Sequence, residues 1–156
     1  MNHLTKNQRK LVVDAVLLIL FLFLNPDFPF VLMPLHEMAG VVTGIVLVVH
    51  VAFNWKWVVA MSRRVFHQFG DLPRRTRIDY ILNVAMTGLF VVALISGISI
   101  STLLGTNPSA ALVAIHHETA SLTVLLMLVH IVRHRKWLWA NLQKVIIRPS
   151  AAKQLA

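Results

Sequence analysis

Four runs of apolar residues occupy most of the chain, at residues 11–30, 38–61, 78–104 and 110–132. Each run is close to the length of about 20 residues that an α-helix needs to cross a bilayer. The chain is 57% hydrophobic and 13% charged, whereas an ordinary soluble domain is roughly 45–50% apolar and about 25% charged. The runs therefore predict an all-α integral membrane protein with four spanning helices. Asn25, Pro26 and Asp27 interrupt the first run, which predicts a bend there because proline removes a helix hydrogen bond.

One polar linker separates the four runs into two pairs. Residues 63–77 hold five arginines together with Gly70 and Pro73, and no other polar stretch between the runs is as long. We therefore expect a single membrane domain over residues 1–156. Its parts are a first hairpin at about 9–62, the basic linker at 63–77, a second hairpin at about 78–140 and a cytoplasmic tail at about 141–156.

The basic residues all fall on one side of this predicted topology. Fifteen Lys and Arg against six Asp and Glu give a net charge of +9, and none of the fifteen lies in the two outer connections. The positive-inside rule then places both termini in the cytoplasm, with the chain as a multi-pass membrane protein. Topology explains most of these charges, and phosphate or lipid binding is the alternative. We expect no nucleic-acid binding, because nucleic-acid-binding proteins carry their charge among polar segments.

The two predicted hairpins contain an internal repeat. Five residues of the first hairpin recur 80 positions later in the second: His36, Thr43, His50, Lys56 and Trp57 become His116, Thr123, His130, Lys136 and Trp137. Duplication is the simplest explanation, and it predicts a pseudo-symmetric four-helix bundle built from two tandem helical hairpins. In that bundle the second spanning helix faces the fourth.

A second, shorter repeat lies at the start of each hairpin. Lys10 precedes Asp14 by four residues, and Arg75 precedes Asp79 by the same spacing. Side chains four residues apart are neighbours on a helix surface. We therefore expect each pair to form a modest ion pair within its own helix.

The spacing of the repeated histidines is the feature that points to chemistry. Fourteen residues are nearly four helical turns, so His36 and His50 share one helix face about 21 Å apart, as do His116 and His130. Imidazoles inside a membrane are costly unless they are paired, so they indicate function. Two facing imidazoles can bind a haem iron from both sides, and two levels of histidines therefore predict two haems. The outer level holds His36 and His116, and the inner level holds His50 and His130.

His117 is the alternative to His116 at the outer level. The sequence His117-Glu118-x-Ala120 also matches His36-Glu37-x-Ala39. A spacing of thirteen residues to His130, however, turns a side chain by about 140° away from the shared face of an ideal helix. We therefore favour His116 and keep His117 open.

Small residues and the absence of cysteine bear on the cofactor. Gly40 and Gly44 lie one and two turns after His36 on the same face, where they would let a porphyrin approach the backbone. Close packing of two membrane helices is an equally good explanation of the Gly-x-x-x-Gly spacing. The chain has no cysteine, which excludes covalently attached c-type haem.

These motifs resemble those of the bacterial four-helix membrane dihaem cytochromes b. The similar segments are His36-Glu37-Met38-Ala39-Gly40, His50, Asn54-Trp55-Lys56-Trp57, His116 or His117, His130 and Arg135-Lys136-Trp137. The resemblance covers about residues 9–140 and is greatest to small stand-alone members, long described as a domain of unknown function. The wider group includes the cytochrome b subunits of membrane hydrogenases and formate dehydrogenases.

The resemblance implies two haem b groups bound by the histidines at positions 36, 50, 116 and 130. It also implies electron transfer across the cytoplasmic membrane, between a quinol pool and a partner redox protein or subunit. Because six-coordinate iron has no open position for a substrate, we expect an electron-transfer subunit in preference to a stand-alone oxidoreductase. Two alternatives stay open: a quinone-coupled oxidoreductase acting on a small species such as superoxide, and a haem-free membrane metal transporter or assembly protein.

Overall fold

A computed structural model describes residues 5–24, 33–101 and 107–152, and this part of the chain is entirely helical or connecting. It contains five α-helices and one short 3₁₀ turn. They are α1 Lys6–Phe23, α2 Met33–Phe53, α3 Trp55–Gln68, the 3₁₀ turn Phe69–Asp71, α4 Arg74–Ile100 and α5 Ala110–Ala152. The prediction of an all-α protein is confirmed for the described residues.

Three of the helices are long and apolar enough to cross a membrane. They are α2, α4 and the Ala110–Gln143 part of α5. Only 22% of the most apolar stretch of α4 and 6% of that of α5 is buried inside the protein, so most of their apolar side chains face outward. Such a surface is unfavourable in water and suits the lipid phase of a membrane. The three helices therefore agree with the prediction of a membrane protein.

The first helix differs from the predicted spanning helix. Its 18 residues include four charged side chains, so α1 is not among the helices apolar enough to cross a membrane. It begins with a capping box, in which Thr5 and Gln8 exchange hydrogen bonds between side chain and backbone. The predicted bend at Asn25, Pro26 and Asp27 lies outside the described residues.

The predicted second span is divided into two helices at Asn54. α2 ends at Phe53 and α3 begins at Trp55, so the expectation of one helix over 38–61 is wrong. The Asn54 side chain donates a hydrogen bond to the His50 carbonyl at 2.9 Å and accepts one from Lys10 Nζ at 2.5 Å. An asparagine that bonds to nearby backbone competes with the regular helix, and α3 therefore starts as a separate element.

The expected polar linker and tail are largely helical. α3 continues to Gln68 and α4 begins at Arg74, so only residues 69–73 of the linker 63–77 lie outside an α-helix. α3 buries Met61 and exposes Arg63 and Arg64, which is the pattern of an amphipathic surface helix. α5 also continues through most of the expected tail, to Ala152. These boundaries were missed because polar residues such as Arg, Lys and Gln are good helix formers.

The helices pack as two hairpins that touch along their edges. α1 packs mainly on α2 and α4 mainly on α5, while smaller contacts join α1 to α5 and α2 to α4. α2 and α5 are therefore diagonal to one another. The side chains least exposed to solvent are those of Thr43 on α2 and Thr123 on α5, at 0% and 2% exposure. Their hydroxyls donate to the carbonyls of Ala39 and Thr119 in their own helices, which satisfies them without a partner across the core.

Candidate functional site

The four repeated histidines lie on the two diagonal helices. His36 and His50 are both on α2, and His116 and His130 are both on α5. All four are half-buried, whereas His117 is exposed. Both helices are continuous between their histidines, so the fourteen-residue spacing keeps each pair on one face.

The outer pair of histidines brings α2 and α5 together. The ring centroids of His36 and His116 are 6.1 Å apart, and the ring planes are inclined by 87°. A separation of about 6 Å is also what two imidazoles on opposite sides of one metal ion give. Each metal–nitrogen bond is about 2 Å long and each nitrogen lies about 1 Å from its own ring centroid. The outer pair therefore has the spacing of two axial ligands.

His116 is oriented by the backbone of α4. Its Nδ1 donates a hydrogen bond to the Ala93 carbonyl at 2.9 Å, and Ser96 Oγ lies 3.5 Å from the same nitrogen. A carbonyl acceptor at Nδ1 fixes the proton there and leaves Nε2 unprotonated. Histidines that bind metal usually donate their second ring nitrogen in this way, so His116 has the tautomer of a metal ligand.

Gly97 makes room for the His116 ring. A Cβ atom at position 97 would lie 2.9 Å from His116 Cε1 and 3.1 Å from its Nδ1, which is closer than side-chain atoms normally pack. α4 therefore presents a backbone surface to the Nδ1 and Cε1 atoms of this imidazole. Neither Gly97 nor Ser96 was predicted as part of the site, because the sequence gives no indication of which α4 face meets α5.

We expect Gly97→Ala to destabilise the protein by about 1–3 kcal/mol, the usual cost of overpacking a close contact. The added methyl group would push His116 away from the Ala93 carbonyl. Thermal unfolding of the purified protein in detergent measures the effect. Gly88→Ala is the matched control on the same helix, because a Cβ there meets nothing within 4 Å. This control should be neutral or stabilising by about 0.5–1 kcal/mol, and equal Tm shifts for the two variants would contradict the contact.

Two of the site histidines have buried nitrogens without a hydrogen-bond partner. Among the described residues, nothing bonds to Nδ1 of His36 or to Nδ1 of His130. An unpaired buried polar atom costs free energy, so most such atoms in folded proteins are paired. Within this part of the chain, Asn83 Oδ1 and His134 Nε2 are also buried without a partner, so such atoms are not confined to the four repeated histidines.

The inner level has a carboxylate partner on one side. Asp14 Oδ1 accepts a hydrogen bond from His50 Nδ1 at 2.8 Å, which leaves Nε2 of His50 available. Carboxylate–histidine pairs of this kind orient metal-binding imidazoles in many proteins. In the described part of the chain the ring next to His130 is that of His134, at 4.5 Å between centroids, and His50 and His130 make no ring contact like that of the outer pair.

The predicted ion pairs within each helix do not form. Asp14 pairs with His50 of α2, and Asp79 pairs with Nε of Arg133 on α5. Lys10 reaches Asn54, and the backbone carbonyl of Arg75 accepts from Arg133 Nη2 at 3.2 Å. Each aspartate therefore links the two helices of its own hairpin. A half-buried carboxylate is stabilised more by a partner across the interface than by an exposed basic side chain on its own helix.

The two glycines predicted to line the cofactor have different surroundings. A Cβ at Gly44 would lie 2.8 Å from Leu94 Cδ2, so this glycine lets α4 pack closely on α2. A Cβ at Gly40 would make only an ordinary contact with Leu24, at 3.8 Å. Close helix packing, the alternative explanation of the Gly-x-x-x-Gly spacing, therefore accounts for Gly44, and Gly40 stays a candidate for contact with a cofactor.

The site offers two imidazoles at each level, not a complete metal-binding cluster. Among residues 5–24, 33–101 and 107–152, no group of three or more His, Cys, Asp or Glu side chains is placed to hold a metal ion. Comparison with protein-family models, curated proteins and solved structures finds no match to this chain. The chemistry of the site therefore follows from its own geometry.

Proposed function

We propose that the chain is a membrane dihaem cytochrome b, an electron-transfer protein with two haem b groups between α2 and α5. The observation that carries the proposal is the pair His36 and His116, whose ring centroids lie 6.1 Å apart between two helices that otherwise have few contacts. The same two helices carry His50 and His130 nearly four turns further on. The proposed ligands are His36 and His116 at the outer level and His50 and His130 at the inner level.

The donor set fits haem in two respects. A porphyrin supplies four ligands to its iron, so two imidazoles complete the coordination, and each level of this site supplies two. Nδ1 of His116 and Nδ1 of His50 are both engaged by acceptors on the neighbouring helix. Their Nε2 atoms are therefore the nitrogens free to bind.

Membrane insertion as a four-helix bundle is part of the proposal. α1 is the fourth helix, packed against α2 and α5. Its most costly residue for a membrane environment is Asp14, and the bond to His50 compensates that carboxylate. Leu11 and Leu17 are buried against the other helices, while Ile19 and Leu22 are about half exposed and would face lipid.

The inner-membrane location and the cytoplasmic termini rest on charge. The basic residues flank the ends of the helices that carry the four exposed tryptophans, Trp55, Trp57, Trp137 and Trp139. Tryptophan is enriched at the membrane interface and Lys and Arg on the cytoplasmic side. Both features support a cytoplasmic position for this end of the molecule.

Bound haem supplies a one-electron donor and acceptor within the membrane. The residues of the chain hold two such groups at different depths and keep them apart. Thr43 and Thr123 lie midway between the histidines of their helices and are almost fully buried, at 0% and 2% exposure. The levels are nearly four helical turns apart, so electrons would pass between two fixed positions. A quinol pool and a partner redox protein or subunit are the proposed donor and acceptor.

We expect the purified protein to contain about two haem b per chain, because the two pairs of imidazoles provide two six-coordinate sites. A pyridine haemochrome assay with a reduced-minus-oxidised spectrum reports both haem type and stoichiometry. A protein expressed in haem-replete cells that has no absorption of haem would overturn the proposal. The haem-free metal transporter or assembly protein would then be the better hypothesis. A high-spin, ligand-reactive spectrum would instead favour the oxidoreductase acting on a species such as superoxide.

A further inference from the structure

A basic cleft lies between the first turn of α4 and the middle of α5. Its volume is about 560 Å³, and Arg74, Arg75, Ile78, Arg133, Arg135 and Lys136 line it. Five of the six lining residues carry a positive charge. The volume falls within the range of roughly 300–1,000 Å³ that small-ligand pockets have. We refer to it as the α4–α5 cleft.

Most of the positive charge in the cleft has no acidic partner. Arg133 is paired with Asp79, which fixes its guanidinium on the cleft wall. Among the described residues, Arg74, Arg75 and Lys136 form no salt bridge. The chain has no Asp or Glu at all after Glu118, so no further part of α5 can neutralise them. Unpaired charges gathered in one concavity attract an anion.

The start of α4 adds to the positive electrostatic potential of the cleft. The capping residue of α4 is Pro73, and it makes no side-chain hydrogen bond to the helix. The first turn also has no acidic residue, so no side chain of that turn neutralises the positive end of this 27-residue helix. Backbone N–H groups at a helix start favour phosphate and similar anions. Arg side chains at the same place add bidentate contacts to phosphate oxygens.

The position of the cleft indicates where the anion comes from. α4 and α5 are two of the three helices apolar enough to cross a membrane, and the cleft lies where the apolar part of α4 begins. Trp137 and Trp139 lie one and three residues after Lys136 and are exposed, at 40% and 62%. Exposed tryptophans mark the depth of lipid headgroups. Ile78 gives the cleft an apolar wall on the membrane side, suited to the glycerol end of a lipid.

We infer that the α4–α5 cleft is a binding site for a phosphate-bearing anion, supplied by the headgroup of an anionic phospholipid. The phosphate contacts the Arg and Lys side chains and the start of α4. The acyl chains lie along the apolar surfaces of α4 and α5. Basic pockets between spanning helices on the cytoplasmic side bind anionic headgroups in this manner.

The test uses the full chain purified in a neutral detergent. It is titrated separately with phosphatidylglycerol, with phosphatidylcholine and with inorganic phosphate, and lipid adducts are counted by native mass spectrometry. We expect saturable binding of one phosphatidylglycerol at the cleft. The cleft variant Arg75→Gln with Lys136→Gln should bind it about thirtyfold more weakly, since each basic residue near a headgroup contributes roughly 1 kcal/mol.

The matched control is Arg63→Gln with Arg64→Gln. It removes the same charge from exposed positions of α3, outside the cleft, and should weaken binding by no more than about threefold, as expected for screened surface charges. Equal weakening in both variants, or equal binding of phosphatidylcholine, would overturn the assignment. Inorganic phosphate binding as tightly as the lipid would overturn the lipid source. Loss of haem from the cleft variant would assign the cleft to a cofactor and overturn the inference as well.

Circular dichroism and a single elution peak establish that each variant is folded before titration. Lys136→Gln alone replaces the double variant if that protein is unstable. Its expected loss is about fivefold in affinity, the effect of one basic residue. Unchanged affinity in a folded Lys136→Gln protein would also count against the cleft.

Discussion

Replacing His116 with alanine is expected to remove the outer haem and leave about half of the haem per chain, since six-coordinate iron needs both of its axial imidazoles. His116 faces His36 at 6.1 Å, and the Ala93 carbonyl holds its Nδ1. A pyridine haemochrome assay, normalised to protein, measures the loss. The inner haem should remain, because its ligands lie about 21 Å away along the helix axis.

The matched control for this variant is His117→Ala. His117 is the next residue on α5 but is exposed, and its ring lies 5.9 Å from that of His116 without facing His36. We expect this variant to keep about two haems, because neither axial ligand changes. The opposite result, with haem lost from His117→Ala and kept by His116→Ala, would assign the outer ligand to His117 and require α5 to turn by about one residue, or about 100°.

The sequence was sufficient to predict the helical class, and the rings of the predicted outer pair, His36 and His116, lie close together in the structure. Helical periodicity and length are local properties, and the spacing of His36 and His50 on an unbroken helix follows from them directly. The choice of His116 over His117 rested on the same periodicity, and the structure indeed turns His116 toward α2. Whether a cofactor lies between these rings stays a prediction.

The surroundings of the histidines could not be predicted from periodicity. Gly97 and the Ala93 carbonyl meet His116 from a helix about 20 residues away in sequence, and that meeting depends on how α4 is rotated against α5. The break at Asn54 has a similar cause, because it combines a bond to the preceding turn with a bond to Lys10 of α1. Interactions between elements of this kind override local propensity.

The internal repeat is imperfect at the inner level. Asp14 bonds to His50, but its counterpart Asp79 bonds to Arg133. The position in the first hairpin that matches Arg133 is Phe53, so Asp14 has no arginine to pair with. As a result Nδ1 of His50 has an acceptor, whereas Nδ1 of His130 has none among the described residues. The two proposed inner ligands therefore differ in how their rings are held, since a carboxylate partner fixes the tautomer and orientation of an imidazole.

The inner histidines lead to the second large expected effect. His130→Ala should remove the inner haem and leave about one haem per chain, because its iron would lose one of two axial ligands. The remaining outer haem should keep the low-spin spectrum of bis-histidine ligation. The physical reason is the separation of the two levels by nearly four helical turns, about 21 Å along the helix axis. Haem stoichiometry and the reduced-minus-oxidised spectrum of the purified variant provide the measurement.

His134→Ala is the control for the inner level. The His134 ring lies 4.5 Å from that of His130 on the next turn of α5, so this variant removes a neighbouring imidazole and keeps the proposed ligand. It should retain about two haems per chain, since both axial ligands of each iron remain. If His130→Ala lost both haems while still folded, the two levels would not be independent. If it lost neither, His134 or another side chain would have to be the inner ligand, and the pairing of His50 with His130 would be wrong.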